Sequence, residues 1–336
     1  MKIGITYDLR EEYMAMGYTR EETAEFDGIE TIEAVDGALR RMGFETDRIG
    51  HARNLVNRLA AGHRWDLVFN IAEGLYGGGR EALVPALLDH YLIPYVFSGP
   101  LVLALTLNKA LAKLVVREAG VATPDHFIVR RPGDIALISL PYPLFAKPLA
   151  EGTGKGISGR SVIRSPRQLK QVCTGLLERF LQPVLVETYL DGREFTAGMV
   201  GTGDDARCIG VMEIVLNKQA EKGVYSYTNK EEWEKRVSYT LPDPETEKTV
   251  KEVALKVWLA IGGEDGGRVD IRFDQQGIPH FLEVNPLAGI HPTHSDLPIL
   301  ARLNGIDYQS LMTMIMESAL KKVKTTVCEK SADSGK

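Results

Sequence analysis

The part of the chain best suited to chemistry is a pair of short apolar runs in which polar residues occupy every second position. Arg268 and Asp270 interrupt the first run, and Glu283 and Asn285 interrupt the second. Side chains alternate between the two faces of a β-strand. The spacing therefore predicts a two-stranded hairpin over residues 267–286 with the polar groups gathered on one face.

The register of this hairpin decides which polar groups meet. If Asp274 pairs with Pro279 across a four-residue turn, Asp270 lies directly opposite Glu283. The other face then carries an apolar set whose burial would fix the register. That set consists of Val269, Ile271, Phe273, Leu282 and Val284.

Opposed carboxylates in such a hairpin favour a metal ion. Their Cβ atoms would lie about 5 Å apart, so one carboxyl would take up a proton unless a cation neutralised the pair. The cluster has oxygen ligands and no histidine or cysteine, which favours Mg²⁺ carried by a nucleotide phosphate. The alternative interpretation is an amphipathic hairpin whose charges face solvent. Arg268 and Asn285 extend the same polar cluster, which argues against this alternative.

Two further segments could contact a nucleotide. Lys147 ends an apolar run and precedes a loop with three glycines, residues 152–156, whose N–H groups could approach phosphates. Glu187 and Glu194 flank a bend and could accept hydrogen bonds from an adenine amino group and from ribose hydroxyls. Taken alone, the first segment is equally typical of a flexible glycine hairpin, and the second is compatible with many folds.

The surrounding pattern predicts a chain of three subdomains that combine α/β and α+β structure. Residues 1–100 alternate apolar runs with helical patterns, which is typical of a parallel α/β domain. Residues 101–182 form a small central subdomain in this interpretation. Residues 183–325, beginning with a strand at Val184–Thr188, form a mostly antiparallel sheet domain with the metal site. Residues 326–336 are polar and aperiodic and predict a disordered tail.

Composition excludes several partners. The chain has 40 basic and 45 acidic residues, a formal charge of -5, and no basic stripe typical of nucleic-acid binding. Its most apolar stretch, residues 92–107, contains prolines and is shorter than the roughly 20 residues of a membrane-spanning helix. Three separated cysteines favour reduced thiols. We therefore expect a cytoplasmic protein with no nucleic-acid or membrane partner.

Several motifs occur in a fixed order between Asp66 and Leu320. They are Phe69-Asn70 with a glycine-rich loop and Glu81, Pro94-Tyr95 with Ser98-Gly99, Leu107-Asn108-Lys109, Lys147-Pro148 with Glu151-Gly152, Glu187, Glu194-Phe195-Thr196, Arg268-Val269-Asp270 and Glu283-Val284-Asn285. In this order and spacing the chain resembles the ATP-grasp superfamily, and within it the D-alanine–D-alanine ligases.

The resemblance implies a set of cofactors and ligands. It implies ATP and two Mg²⁺ ions as cofactors, with Mn²⁺ as a substitute, and Asp270, Glu283 and Asn285 as the metal ligands. The nucleotide-binding positions implied are Lys109, Lys147, Glu151, Gly152, Gly156, Glu187, the Leu190 backbone and Glu194. Catalytic roles would fall to Arg268 on the oxyanion, to Lys230 on the terminal phosphate, and to Thr153 at the position of a loop serine.

The substrate side departs from the family pattern. The usual first-strand turn is missing, and Glu25 is the nearest candidate to bind a substrate amino group. Glu73 stands where the family has a histidine, and Glu231 where it has a tyrosine. Glu81 and Ser295 complete the implied pocket, with Ser295 at an acceptor-carboxylate position. Such changes alter which charges a pocket accepts.

The leading hypothesis is an ATP-dependent carboxylate–amine ligase that forms an acyl phosphate and yields a dipeptide or amide, ADP and phosphate. Its substrates would be a small carboxylate and an amine, both amino acids, and the resemblance implies a homodimer through the N-terminal region. The alternatives are an ATP-grasp ligase for another amino acid or a specialised metabolite, a non-catalytic nucleotide-binding regulator, and a kinase that stops at the acyl phosphate.

Overall fold

The computed structural model describes residues 1–221, 223–224, 226, 229 and 232–333, and describes side chains as far as residue 323. These described residues build three sheets. The first is parallel, with strand order β2-β1-β3-β4. Its strands are β1 (Lys2–Tyr7), β2 (Glu45–Gly50), β3 (Leu67–Ile71) and β4 (Tyr95–Val96), and its helices are α1 (Arg10–Ala15), α2 (Ile29–Arg41), α3 (Ala52–Ala60) and α4 (Leu83–His90). This is the predicted parallel α/β domain.

Two helices and a small antiparallel sheet follow. The helices α5 (Pro100–Leu107) and α6 (Lys109–Glu118) meet at Asn108, whose side chain caps α6 by accepting from the Leu111 N–H at 3.2 Å. The sheet has the order β5-β8-β6-β7. Its elements are β5 (His126–Val129), β6 (Leu144–Pro148), β7 (Val162–Ile163), α7 (Pro166–Phe180) and β8 (Val184–Thr188).

The third sheet is antiparallel, with the order β11-β10-β9-β12-β13. Its elements are β9 (Glu194–Val200), β10 (Arg207–Leu216), α8 (Trp233–Arg236), β11 (Val237–Thr240), α9 (Pro244–Ile261), β12 (Gly266–Phe273), β13 (Pro279–Asn285), α10 (Asp296–Leu303) and α11 (Tyr308–Asp333). Apolar residues of α11, including Leu311 and Ile315, pack into the same core as Ile3 and Ile5 of β1. The first and last parts of the chain therefore share one core.

The assignment of β8 to the C-terminal sheet is wrong. This strand pairs antiparallel with β5 and β6 and so belongs to the central sheet. Val184 and Val186 face the core under α7, whereas Leu185 packs with Ala110 of α6. A strand buried on both faces has no alternation that identifies its sheet. The other predicted domain limits remain predictions.

The hairpin register is correct at one end and wrong at the other. Asp270 lies opposite Glu283, as predicted, but Phe273 rather than Asp274 pairs with Pro279. A β-bulge at Leu282 absorbs the difference. Phe281 therefore takes the core position predicted for Leu282 and is fully buried.

The disordered tail predicted over residues 326–336 stays a prediction, while helix α11 continues as far as Asp333. Its last ten residues contain no glycine or proline, and extending an existing helix requires no new nucleus. Residues 334–336 lie outside the described part of the chain. In that described part, no helix is both long enough and apolar enough to cross a bilayer.

Candidate active site

The polar face of the β12–β13 hairpin is the centre of the site. Asp270 pairs with Glu283 across the two strands, and Arg268 pairs with Asn285. The Arg268 guanidinium contacts the Asp270 carboxylate, whose other oxygen accepts a hydrogen bond from Thr196 Oγ1 at 2.9 Å. The four predicted side chains are therefore held together by neighbouring strands.

This face fits a divalent cation. The amide nitrogen of Asn285 is buried, with no hydrogen-bond partner among the described residues. Rotation of the amide would present its oxygen at the same place. No group of three or more His, Cys, Asp or Glu in the described chain is arranged to hold a metal. Two carboxylates and one amide oxygen suit Mg²⁺ whose remaining ligands come from a phosphate.

Lys147 and Glu187, both predicted to contact ATP, are ion-paired and buried. Lys147 Nζ lies 3.0 Å from one carboxylate oxygen of Glu187, and Lys113 Nζ lies 3.2 Å from the other. Burial acts to raise the pKa of Glu187, but the two ammonium groups outweigh it and hold that pKa below its ordinary value. Burial lowers the pKa of Lys113 to about 8, with Glu187 acting in the opposite direction.

A cavity lies between the central and C-terminal sheets, as a nucleotide would require. Its apolar wall includes Phe145, Tyr189 and Leu282, and the Phe145 and Tyr189 rings stack with centroids 6.3 Å apart. Glu194 lines the same cavity and pairs with Arg272, with Arg272 Nη1 3.3 Å from the carboxylate. The predicted nucleotide residues that line this cavity are Lys109, Lys147, Glu151, Glu187, Leu190 and Glu194.

The glycine-rich loop is held closed by carboxylates. Lys155 Nζ lies 2.7 Å from Glu151 and 3.2 Å from Glu25, and the Gly152 N–H donates to Glu25 at 2.5 Å. Thr153 has a φ of 52° and is followed by two glycines, at 154 and 156, that also have positive φ. Gly156 lines neither cavity, and a Cβ there would lie 2.6 Å from the ring of Pro148, so close packing requires glycine at this position. Its predicted contact with the nucleotide stays a prediction.

A larger second cavity adjoins the first and shares Lys109, Glu151 and Glu283 with it. The Lys109 ammonium donates to the Glu151 carbonyl at 2.5 Å and lies 3.6 Å from the Glu283 carboxylate. Both cavities therefore reach the metal face. The predicted substrate and loop residues that line the second cavity are Glu25, Glu73, Glu81, Gly152, Thr153 and Ser295.

The carboxylate of Glu25, expected to bind a substrate amino group, is already bound to other groups of the protein. Arg80 Nη2 donates to its two oxygens at 3.1 and 3.0 Å, in addition to the contacts from the loop. Burial acts to raise the pKa of Glu25, but Arg80, Lys155 and the Gly152 N–H outweigh burial and lower it. An incoming ammonium group would have to displace these donors.

Glu73 and Glu81 are in the opposite situation. Burial raises the pKa of Glu73 well above its ordinary value, and the charges of Glu81 and Glu25 raise it further. Burial also raises the pKa of Glu81, to about 7, although Arg80 opposes the shift. A cation in the cavity would favour the ionised form of both carboxyls.

The remaining candidates are placed as follows. Ser295 precedes α10 and its Oγ accepts from the His291 N–H at 3.0 Å. Lys230 and Glu231 lie outside the described residues. The sequence interpretation missed Lys113, Lys155 and Arg272, all of which pair with predicted site residues. Lys113 follows Lys109 by four residues, so both lie on one face of α6, and that spacing could have identified it.

Comparison with solved structures identifies the fold. The D-alanine–D-alanine ligase from Bacillus anthracis, solved in complex with ATP, matches 97% of this chain and 99% of its own with a TM-score of 0.72. The two sequences are 21% identical, so this likeness establishes the architecture alone. That architecture is the ATP-grasp fold, with a cleft between two antiparallel sheets.

Sequence comparison then identifies the family. The family model described as D-ala D-ala ligase C-terminus matches residues 115–317. The D-alanine–D-alanine ligase of Methylobacterium radiotolerans is 32% identical over 295 residues, covering 85% of this chain and 91% of the relative. An uncharacterized Sinorhizobium fredii protein, y4sG, is 31% identical over 75% of this chain and 74% of its own. The chain belongs to the D-alanine–D-alanine ligase family of ATP-dependent ligases that form carbon–nitrogen bonds.

Proposed function

We propose that the protein joins two small amino acids, with D-alanine as the leading candidate for both, to give a dipeptide, ADP and phosphate. One observation carries the proposal. Glu283 and Lys109 line both the nucleotide cavity and the larger cavity beside it. A terminal phosphate held at this junction would be adjacent to the carboxylate of a substrate bound in the second cavity.

The metal-binding groups in this proposal are the carboxylates of Asp270 and Glu283 and the amide oxygen of Asn285. They would hold two Mg²⁺ ions, or Mn²⁺ in their place, and these ions would offset the charge of the triphosphate. Lys109 and Lys147 would contact phosphates, and Lys230 keeps its predicted role on the terminal phosphate. Leu190 and Glu194 would hold the adenosine.

The reaction needs activation because a carboxylate is a poor electrophile. A carboxylate oxygen of the first amino acid attacks the γ-phosphorus, and ADP leaves. The amine of the second amino acid then attacks the acyl carbon, loses a proton, and expels phosphate. Arg268, fixed between Asp270 and Asp296, is placed to stabilise the oxyanion of the tetrahedral intermediate.

The protein must exclude water from an acyl phosphate, which hydrolyses readily. The contacts of Lys155 and Gly152 with Glu25 hold the glycine-rich loop against the N-terminal domain. This closed position supports a role for the loop as a cover over the phosphates. Thr153, at the tip of the loop, lines the substrate cavity.

A specific observation also supports the second candidate, a ligase for a different amino acid. Glu73 and Glu81 give the substrate cavity two partly buried carboxyls with raised pKa values. Because Glu25 is already paired with Arg80 and Lys155, these carboxyls would meet the charged part of the substrate. A more basic amino acid than D-alanine would gain most from them.

The assembly and location rest on family resemblance alone. We propose a homodimer formed through the N-terminal domain, in the cytoplasm. Light scattering coupled to size-exclusion chromatography tests the first point: a mass of one chain at micromolar concentration would exclude the dimer.

The test of function is a reconstitution with purified protein, ATP, Mg²⁺ and amino acids, singly and in pairs. Phosphate release and product mass are measured together. We expect D-alanine to give dipeptide and phosphate in equal amounts, and L-alanine to give neither. Turnover with another pair but not with D-alanine would favour the second candidate.

Two other outcomes would overturn ligase activity. An acyl phosphate trapped by hydroxylamine, with no amide formed by any pair, would identify a kinase. Tight ADP binding with no turnover for any carboxylate and amine would identify a non-catalytic regulator.

A further inference from the structure

Lys113 is a fully buried lysine at the point where three parts of the molecule meet. It lies on α6, its ammonium is ion-paired with Glu187 of β8, and it donates to two main-chain carbonyls of β13. The carbonyls are those of Phe281, at 3.2 Å, and Leu282, at 3.1 Å. Two of the three N–H bonds of the ammonium group are therefore directed at carbonyls, and the contact with Glu187 Oε2, at 3.2 Å, is an ion pair.

The two carbonyls belong to the bulge in β13. Successive carbonyls of a regular strand point in opposite directions, so one ammonium reaches two neighbours only where the strand is irregular. The register changes between Asp270 and Ile271, with Leu282 as the extra residue. The ammonium also lies 5.5 Å from the centre of the Phe281 ring. The Lys113 ammonium therefore contacts both the backbone of the bulge and the ring of the adjacent Phe281.

The bulge determines which side chains of β13 face the nucleotide. Ile271 pairs with Phe281, and continuing this register without a bulge would place Leu282 opposite Asp270. Glu283 would then lie opposite Val269, on the core face. A one-residue change of register moves every side chain to the other face. The joint presentation of Asp270 and Glu283 depends on this bulge.

The third contact of Lys113 extends its influence to the phosphate-binding side. Its ion pair with one oxygen of Glu187 fixes the carboxylate whose other oxygen lies 3.0 Å from Lys147. Lys113 is thus linked to Glu283 through the backbone of β13 and to Lys147 through the carboxylate of Glu187. It lines neither cavity itself, so it has no direct contact to offer a nucleotide.

We propose that Lys113 is a positioning residue for Mg²⁺–nucleotide binding, acting by holding the β13 bulge that turns Glu283 toward Asp270. The inference rests on the metal site proposed above. Its distinguishing consequence is that loss of the ammonium weakens metal-dependent nucleotide binding more than it weakens binding of the amino acids. Groups that orient metal ligands typically change metal affinity 10–100-fold when removed.

The test replaces Lys113 with methionine, which keeps the length and apolar stem of the side chain. ADP binding is measured by calorimetry at increasing Mg²⁺ and in EDTA, and Mn²⁺ binding in the presence of ADP is measured by electron paramagnetic resonance. We expect Lys113→Met to raise the Mg²⁺ concentration for half-maximal ADP binding about 10-fold or more. The KM for amino acids should stay within about twofold of wild type.

Lys322 offers a matched control. Its ammonium donates to the Phe97 carbonyl at 2.7 Å, lies 2.8 Å from Asp265 and lies 5.5 Å from the Tyr95 ring centre. These contacts are of the same kinds, but the three partners, Phe97, Asp265 and Tyr95, lie outside β13 and do not include Glu187. Lys322→Met should lower the melting temperature and leave the Mg²⁺ requirement unchanged.

Equal Mg²⁺ requirements in Lys113→Met, Lys322→Met and wild type would overturn the proposal. A parallel rise in the KM for ATP and for amino acids would also overturn it, since it would indicate general loosening. If Lys113→Met does not fold, Lys113→Gln decides: a folded variant with the wild-type Mg²⁺ requirement contradicts the proposal. Failure of the wild type itself to bind ADP in a Mg²⁺-dependent way would instead remove the metal site on which the inference rests.

Discussion

Carboxylates line both cavities of the protein, but their neighbours differ. In the nucleotide cavity, Glu187 lies between two lysines and Glu194 pairs with Arg272. In the substrate cavity, Glu81 lies 4.0 Å from Arg80, a cation that is also bound to Glu25. The nucleotide side is therefore charge-compensated before any ligand arrives. The substrate side carries two carboxyls, Glu73 and Glu81, whose pKa values are raised and whose ionisation would become more favourable when a cation enters.

The largest effect on activity is expected at Asp270 and Glu283, the two carboxylates proposed to bind the metal ions. Asp270→Asn or Glu283→Gln removes a charged ligand while keeping the shape of the side chain. Phosphate release should fall at least about 1,000-fold, or about 4 kcal/mol of activation free energy. Steady-state kinetics with the best amino-acid pair measures this.

The control for this prediction lies in the same hairpin. Asp274 accepts main-chain hydrogen bonds within the turn, from Gln276 and Ile278, and does not line either cavity. Asp274→Asn should keep turnover within about threefold of wild type. Equal losses in Asp270→Asn and Asp274→Asn would show that hairpin stability, rather than a metal site, explains the effect.

The second prediction concerns the bulge. Phe281 is fully buried in the core, whereas Leu282 lines the nucleotide cavity. Phe281→Ala should lower the free energy of unfolding by about 4 kcal/mol. Leu282→Ala should cost less than about 1.5 kcal/mol and raise the KM for ATP severalfold. Urea unfolding measures the loss of stability in each variant, and steady-state kinetics measures the KM for ATP. A larger loss of stability in Leu282→Ala than in Phe281→Ala would contradict the observed register.

This bulge also marks the limit of the sequence interpretation. Alternation of polar and apolar residues correctly brought Asp270 opposite Glu283, because burial of Val269 and Val284 allows no other register there. The same alternation misplaced Leu282 and Phe281. Both are apolar, so their pattern does not reveal an extra residue that is stabilised by Lys113, a side chain more than 160 positions away in sequence.

The other misses have the same origin in long-range contacts. The sheet to which β8 belongs is decided by pairing with β5 and β6, which its own apolar residues do not encode. Glu25 was expected to be open to substrate, and its capture by Arg80 and Lys155 joins segments 55 and 130 residues apart. Motif order identified the cleft because the family pattern already includes such contacts. It did not reveal charge pairing on the substrate side.

The third prediction uses the raised pKa of Glu81. Between its ordinary value of 4.5 and about 7, the folded protein retains a proton that the unfolded chain releases. The free energy of unfolding should therefore fall through this window, by about 3 kcal/mol from this group at about 1.4 kcal/mol per pKa unit. Glu81→Gln should make the fall measured by urea unfolding from pH 4.5 to 7.5 smaller, and the part due to Glu73, whose pKa is also raised, should remain.

Glu25 provides the opposite sign and so serves as the comparison. Its pKa is lowered, so its ionised form stabilises the protein above its ordinary pKa, and this contribution is lost as the pH falls toward the lowered value. Glu25→Gln should lower stability at pH 7, and a smaller decline between pH 4.5 and 7 should remain, because the charge of Glu25 is one of the causes that raise the pKa of Glu73 and Glu81. The same pH profile in both variants would contradict the different charge states assigned to the two carboxyls.

The smallest effect is expected for a pair on the surface. Glu21 and Arg179 contact each other with side chains 38% and 60% exposed. Glu21→Gln should change the free energy of unfolding by about 0.5 kcal/mol or less, because water and salt screen such pairs. A loss of more than about 2 kcal/mol in thermal or urea unfolding would show that this contact holds the N-terminal segment in place.

The proposed function rests on activation of a carboxylate by phosphorylation on metal-bound ATP. The most direct measurement supplies D-alanine, or the best substrate found, with ¹⁸O in its carboxylate and analyses the released phosphate by mass spectrometry. We expect one ¹⁸O atom to be transferred to each phosphate, since the attacking oxygen leaves with the phosphoryl group when the amine attacks. Phosphate without ¹⁸O, released alongside an amide product, would contradict it.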